Sequence, residues 1–360
     1  MTVVRESHEA HGATFRDVGG TAVPEEYGRP ERTHRAVRNV VGVTEHAFDV
    51  LVVSGEDRHA FVDDTVTNRV PTSDGEGCYA LLLDPQGRIR VDCYVFATGE
   101  SLLLFLPVGE GETVAEEWSE RTFVQDVDVA LATDDFGTFG VHGPNATEKV
   151  ASVLHHASPP EEHLRFVRGE MEAGVTVVRD DDLAGEEGYL VVCDADGASD
   201  VFETLLVRGL NATPFGRRTW ETLTLEAGTP LFETELRDRV PNVLGLRNAV
   251  DFEKGCFVGQ EVVSKVENRG RPSSRLVGLE PDALPDAGAA VHADGSEVGA
   301  VTRAAVSPMR EEPIALAVVD YDVSGGLTVD TAEGTVDAAL ADLPFVEGGQ
   351  RSARLPVYDD

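Results

Sequence analysis

Lys254-Gly255-Cys256-Phe257-Val258-Gly259-Gln260-Glu261 places a cation, a thiol, an amide and a carboxylate in one short stretch. A thiol works as a nucleophile or redox group in its thiolate form, and a cation two positions away favours that form. Cys256 therefore reads either as a working thiol activated by Lys254 or as a small residue filling a tight turn. Gly255 and Gly259 bracket a bend, and a polar loop between apolar segments is more often a site than a spacer. Asp92 lies in the run Arg88 to Phe96, where Ile89, Val91, Cys93 and Val95 share one face and Arg90, Asp92 and Tyr94 the other. Spacing alone makes Asp92 an exposed strand acid beside Arg90. Glu226 ends a helix expected over Pro214 to Leu225, where an acid opposes the helix dipole. It is a helix-end acid, or an acid placed there for a ligand. Tyr189, beside Gly188 at the start of an apolar strand, either lines a pocket or fills the core.

The elements that position these residues follow from periodicity. Strands are expected at Val50–Val53, Tyr79–Asp84, Arg88–Phe96, Ser101–Pro107, Val127–Ala132, Phe139–His142, Val175–Val177 and Tyr189–Val192. Helices are expected at Glu31–Val40, Asp57–Asp64, Thr113–Arg121, from the opening Gly143-Pro144-Asn145-Ala146 through Leu154, and at Ser199–Arg208, where Val201, Phe202, Leu205 and Leu206 share a face. Residues 1–40 read as an irregular arm followed by the first of these helices. Past a polar linker from Asn268 to Ser274, short strands separated by glycines, prolines and acidic turns indicate a small β-barrel or sandwich. The tail after Leu343 reads as polar and loosely held.

Composition narrows the function classes. The chain of 360 residues is 41% hydrophobic, enough for two or three domains. Its formal charge is −35, with acids spread along the whole length and Lys149, Lys254 and Lys265 as its only lysines. Such a distribution fits adaptation to concentrated salt, where the Debye length falls to about 3 Å at 1 M and self-repulsion is screened. A cytoplasmic protein of an extreme halophile is the expectation. No basic stripe is present to follow a nucleic-acid backbone, and no apolar run is long enough to span a membrane. Cys78, Cys93, Cys193 and Cys256 show no CxxC spacing, so no metal site is expected.

The octet resembles the K-G-C-[FY]-x-G-Q-E signature of the YgfZ-type folate-binding proteins, relatives of the glycine-cleavage T-protein (aminomethyltransferase). T-proteins have a stretch like K-x-D-F-x-G-[KR]-E. Lys254, Phe257, Gly259 and Glu261 are thus common to both branches, whereas Cys256 and Gln260 side with the YgfZ branch. His11-Gly12-Ala13, Gly19-Gly20, Pro24 and Tyr27 resemble the T-protein opening. The T-protein Ser-His-Met segment is replaced by Gly42-Val43-Thr44-Glu45-His46-Ala47-Phe48. The hairpin at Asp92 resembles G-G-x-x-D-D-L, with Val91 at the first acid and Asp92 at the second. Val141-His142-Gly143-Pro144-Asn145-Ala146 matches V-x-G-P-N-A, Leu223 to Gly228 matches L-x-L-E-x-G, and Ala184 to Leu190 resembles T-G-E-x-G-Y-E.

The resemblance implies an α+β, T-protein-like ring of three domains with tetrahydrofolate in the central hole. The first α+β domain would comprise 1–50 and 137–240, the second 51–136 and 241–270, and the C-terminal barrel 275–345. It also implies that Glu226 accepts two parallel pterin N–H groups in a fork, that Asp92 lies beside the folate's reactive nitrogens, and that Tyr189 and Lys254 belong to the folate site. Asp92 and Cys256 are the candidate catalytic residues. Two functions follow. One is a YgfZ-like role in iron–sulfur cluster assembly or repair, with Cys256 acting on iron–sulfur client proteins. The other is aminomethyl transfer from a lipoyl carrier protein to tetrahydrofolate, with Asp92 favouring charge that develops on folate.

Overall fold

The computed structural model of the chain describes residues 2–122, 124–268 and 270–358; Arg269, within the expected linker, lies outside them. The N-terminal arm is more regular than its composition suggested. A short helix, α1 (Arg5–Ala10), precedes a hairpin of β1 (Thr14–Val18) and β2 (Thr21–Glu26). Gly19 and Gly20 turn that hairpin at φ of +58° and +82°, the two positive angles that a tight two-residue turn requires. Helix α2 (Pro30–Asn39) follows, after which β3 (Gly42–Glu45) enters one sheet and β4 (Phe48–Ser54) a second.

In the second sheet β4 is joined by β5 (Glu76–Leu83), β6 (Ile89–Ala97), β7 (Leu102–Pro107) and β8 (Asp128–Leu131), in the order β5-β6-β7-β4-β8. Period-two alternation gives this sheet two different faces. Leu51, Leu82, Val91, Cys93, Val95 and Leu104 pack under helices α3 (Arg58–Asp63) and α4 (Gly111–Arg121), against Phe61, Val62 and Trp118. Tyr79, Leu81, Tyr94, Phe96 and Phe105 point the opposite way. Ile89 joins this second set, at the register shift between Leu82 and Leu83.

The chain then returns to the sheet of β3 with β9 (Phe136–His142), β10 (Phe166–Met171), β11 (Ala173–Arg179), β12 (Gly188–Asp194) and β13 (Thr213–Pro214), ordered β10-β11-β12-β9-β3-β13. Helices α5 (Ala146–Val153) and α6 (Ala198–Val207) cover its outer face through Val150, Val153, Val201, Phe202 and Leu205. Its other face sends Val178, Leu190 and Val192 to the inner side chains of the β4 sheet. Each sheet is therefore coated by helices outside and faces the other inside. Helix α7 (Arg217–Glu226) starts later than expected, because Pro214 instead pairs with Val43 at the sheet edge.

Helix α8 (Gln260–Asn268) leads to a closed barrel of β14 (Ser274–Pro281), β15 (Ala290–Ala293), β16 (Ser296–Val306), β17 (Pro313–Asp320), β18 (Leu327–Thr331) and β19 (Gly334–Ala341). Leu279, Val291, Val301, Ala317 and Val329 fill it. Leu276, Ile314 and Leu316 face outward into the cluster shared by the two sheets. The architecture is thus two α+β units and a six-stranded barrel packed on a common centre.

The tail contradicts the expectation of a loose end. The backbone N–H groups of Val346, Gln350, Ala353 and Val357 donate to carbonyls of Glu226, Gly185, Asp181 and Gly245. Phe345, Ser352 and Arg354 are buried. Backbone groups paired one by one with three different segments hold a polar strip in place without an apolar pattern.

Candidate functional site

Between the inner faces of the two sheets lies a cavity with about 1130 Å³ of empty space, its open mouth included. Phe48, Phe96, Phe105, Trp220 and Phe232 supply aromatic walls, and Asp92, His46, Asp180, Arg217, Glu233 and Arg354 supply polar groups. A mostly apolar cleft with a few fixed polar groups suits a flat heteroaromatic ligand.

Asp92 is the most constrained of these. It projects from β6 opposite Leu81 and is only 5% exposed. Its Oδ2 accepts the Tyr79 hydroxyl and an Arg354 N–H, both at 3.0 Å. Its Oδ1 is buried and has no hydrogen-bond partner among the described residues. The guanidinium of Arg354 also donates to the Tyr94 hydroxyl at 2.7 Å and stacks 3.9 Å over the Tyr79 ring. Burial raises the Asp92 carboxyl above its ordinary range, with Arg354 and Tyr79 opposing. An unsatisfied buried acceptor costs free energy unless a ligand pairs with it. The expected exposed acid beside Arg90 is therefore corrected: Arg90 is paired with Glu117 on the surface, while Asp92 faces inward.

The cavity wall also carries a histidine pair. His46 Nε2 lies 3.1 Å from His142 Nε2, and His142 Nδ1 lies 3.3 Å from Asp180 Oδ2. Trp220 packs on both rings. Burial, aided by Arg217, lowers His46 to about 4. Burial also pushes His142 well down and, with Asp182, raises Asp180 to about 7.

The other sequence candidates do not converge on Asp92. Glu226 is fully buried outside the cavity wall. Arg38 donates to its Oε2 at 2.9 Å and His34 Nε2 lies 3.0 Å from the same oxygen, while Ser307 Oγ and the Met309 N–H reach Oε1. Both oxygens are engaged by α2 and the barrel loop, so Glu226 ties these elements to α7 and offers no free oxygen for the expected pterin fork. Tyr189 faces the helix-covered side of its sheet, away from the cavity lining, where its hydroxyl meets Thr147 at 2.9 Å. Lys254 is also turned inward. Its ammonium donates to the carbonyls of Val66 and Asn68, each at 2.9 Å, and to that of Asp63. It therefore acts as a clamp on the chain after α3 rather than as a neighbour for the thiol. Cys256 is exposed to solvent.

The octet nonetheless bears on the site. Gly259 has φ of +81°, and a Cβ there would lie 2.7 Å from the Asp84 carbonyl and 2.9 Å from Gly87 Cα. Only glycine allows the octet to sit against the β5–β6 turn, on the hairpin that carries Asp92. Arg354, His46, Asp180, Arg217 and Glu233 were not singled out from sequence. Arg354 carries no local signal, being one arginine in a polar tail.

With this geometry in hand, similarity to known proteins becomes informative. The GCVT N-terminal domain model matches residues 4–254, and the glycine cleavage T-protein C-terminal barrel domain model matches 274–347. The chain belongs to the glycine cleavage T-protein family. An aminomethyltransferase of Cutibacterium acnes is 31% identical over 96% of this chain and 99% of its own length. A probable aminomethyltransferase of Halobacterium salinarum is 32% identical over 94% of this chain and 97% of its own. The glycine cleavage system aminomethyltransferase T from Bartonella henselae shares the fold, with a TM-score of 0.86, 22% identity, and coverage of 97% and 98% of the two chains. Among the described residues of this T-protein family member, no helix is long and apolar enough to cross a membrane.

Proposed function

We propose that this protein binds tetrahydrofolate in the aromatic cavity and transfers an aminomethyl-derived carbon to it from a lipoyl carrier protein. The observation that carries this reading is Asp92, a buried carboxylate with one oxygen fixed by Arg354 and Tyr79 and the other unpaired in the cavity wall. In this reading the oxygen without a protein partner accepts an N–H from the bound heterocycle and stabilises positive charge forming on a folate nitrogen as the carbon is transferred. Aminomethyltransferase relatives aligned over nearly the whole chain support the same reaction. The test is ammonia release in concentrated KCl from aminomethylated lipoyl carrier and tetrahydrofolate. Asp92→Asn is expected to lower turnover by a factor on the order of 10²–10³. Turnover unchanged in Asp92→Asn would remove Asp92 from the mechanism. No release from wild-type protein that binds folate by calorimetry would remove the transfer reading.

A second reading has its own observation. Cys256 is the exposed cysteine of an octet of YgfZ type, whereas Cys78, Cys93 and Cys193 are buried. Its exposure suits a folate-binding maturation factor that presents a thiol to iron–sulfur clients. Loss of function in a Cys256→Ser complementation strain, combined with no ammonia release, would favour it.

A further inference from the structure

We propose that His46, His142 and Asp180 form a proton relay that takes a proton from the ligand in the cavity and holds it on Asp180. This rests on the transfer reading above for its reaction, though the relay itself can be tested without turnover.

The geometry is the starting point. His46 and Asp180 both line the cavity, and His142 bridges them from behind, at 3.1 Å and 3.3 Å. The second contact is an ion-pair distance, with no aligned hydrogen bond to His142 Nδ1. Two Nε2 atoms facing each other require a hydrogen on one and a lone pair on the other. With Asp180 ionised, the proton of His142 belongs on Nδ1, the ring nitrogen 3.3 Å from the carboxylate, and a small turn of the ring or the carboxylate aligns the two for transfer. His46 then donates from Nε2, which leaves its Nδ1 as a lone pair. A proton arriving on that Nδ1 sends the Nε2 proton of His46 to His142, and the Nδ1 proton of His142 to Asp180. Both rings end neutral, and the added proton rests on a carboxyl group. This avoids a buried imidazolium, consistent with the lowered His46 and His142 and with Asp180 raised to about 7.

The sheet also makes room for the pair. A Cβ on Gly140, in β9, would lie 2.3 Å from Nε2 of both histidines. The charged groups acting on the relay are Arg217 at His46, Arg179 at His142, and Arg179, Asp181 and Asp182 at Asp180.

The reaction needs such a group. In aminomethyl transfer the methylene carbon loses its bonds to sulfur and nitrogen and forms two bonds to folate nitrogens. Each folate nitrogen gives up a proton; one ends on the departing sulfur and the other on ammonia, released as ammonium. A relay that takes a proton from folate and returns it to a leaving group balances this step without an external reagent.

Two measurements decide the matter. In the ammonia-release assay, wild-type turnover is expected to fall with one-proton dependence as pH drops through about 7. His142→Gln and Asp180→Asn should lose that limb and at least tenfold of the rate, with folate affinity by calorimetry within twofold of wild type. Variants that keep the wild-type rate and limb would overturn the relay. In parallel, infrared difference spectra of folate-bound protein should show a protonated-carboxyl band that is absent in Asp180→Asn and shifted in midpoint by His142→Gln and Gly140→Ala. A midpoint indifferent to both substitutions overturns the relay whatever the assay shows. A sensitive midpoint in a protein without turnover supports the relay and overturns the transfer reading alone.

Discussion

Arg354 and Asp92 stand 262 positions apart in the chain and 3.0 Å apart in the fold. The tail thus completes the site begun by the β5–β6 hairpin. Arg354→Ala would leave a buried carboxylate with only the Tyr79 hydroxyl. Removing one partner of a buried pair costs about 3–5 kcal/mol. Urea unfolding in molar KCl should show a loss of that order, together with weaker folate binding. A loss under about 1 kcal/mol would mean that the tail merely covers the site.

Glu226 gives a contrasting prediction. Glu226→Ala is expected to destabilise by up to about 3–5 kcal/mol, because buried Arg38 loses the nearer of its two carboxylates and keeps only Glu186 at 3.4 Å, while His34 and Ser307 lose their acceptor. Folate affinity of the folded protein should stay within twofold, and a tenfold loss by calorimetry would return Glu226 to the ligand site.

The pH dependence of the same residue has a definite sign. Burial pushes Glu226 up, but His34, Arg38 and Ser307 together outweigh it and hold the carboxyl below its ordinary value. Its contribution is therefore fully present above the unfolded-state value of about 4.3 and is lost as pH falls through the lower folded value. Stability of the wild type should drop more steeply below pH of about 4 than that of Glu226→Gln, measured by denaturant titration at each pH. Parallel curves would show that Glu226 keeps its ordinary proton affinity.

The thiols separate by location. Burial pushes Cys78 and Cys193 up to about 12, and Cys93 well above its ordinary value, whereas Cys256 is exposed. Maleimide should label Cys256 alone in the native protein and all 4 cysteines after unfolding. Cys256→Ser should change stability by no more than about 0.5 kcal/mol. Rapid native labelling at a second cysteine would contradict the packing of the sheets.

The charge of −35 remains a prediction about conditions. Below molar salt the screening length grows from about 3 Å to about 10 Å at 0.1 M, and repulsion among spread acids rises. Circular dichroism should show unfolding on dilution of KCl; a native spectrum in dilute buffer would refute the adaptation to salt.

The sequence by itself determined most of the elements, because their signals are local. Alternation in Arg88–Phe96 marked β6, the apolar stripe of 199–208 marked α6, and the short strands after Arg275 marked the barrel. Spacing alone read Asp92 as a surface acid, since alternation tells which residues share a face and not what that face meets; only the resemblance made it a folate-site candidate. Only the tertiary structure decided which carboxylate faces a ligand and which ties helices together. Glu226 looked out of place at a helix end, but the partners that satisfy it, His34, Arg38 and Ser307, come from distant segments. Lys254 and Cys256 are two positions apart, yet the loop turns one toward carbonyls and the other toward solvent. Arg354 was invisible for the same reason: a polar tail is anchored by hydrogen bonds to groups on other segments, and such pairing leaves no period in the sequence.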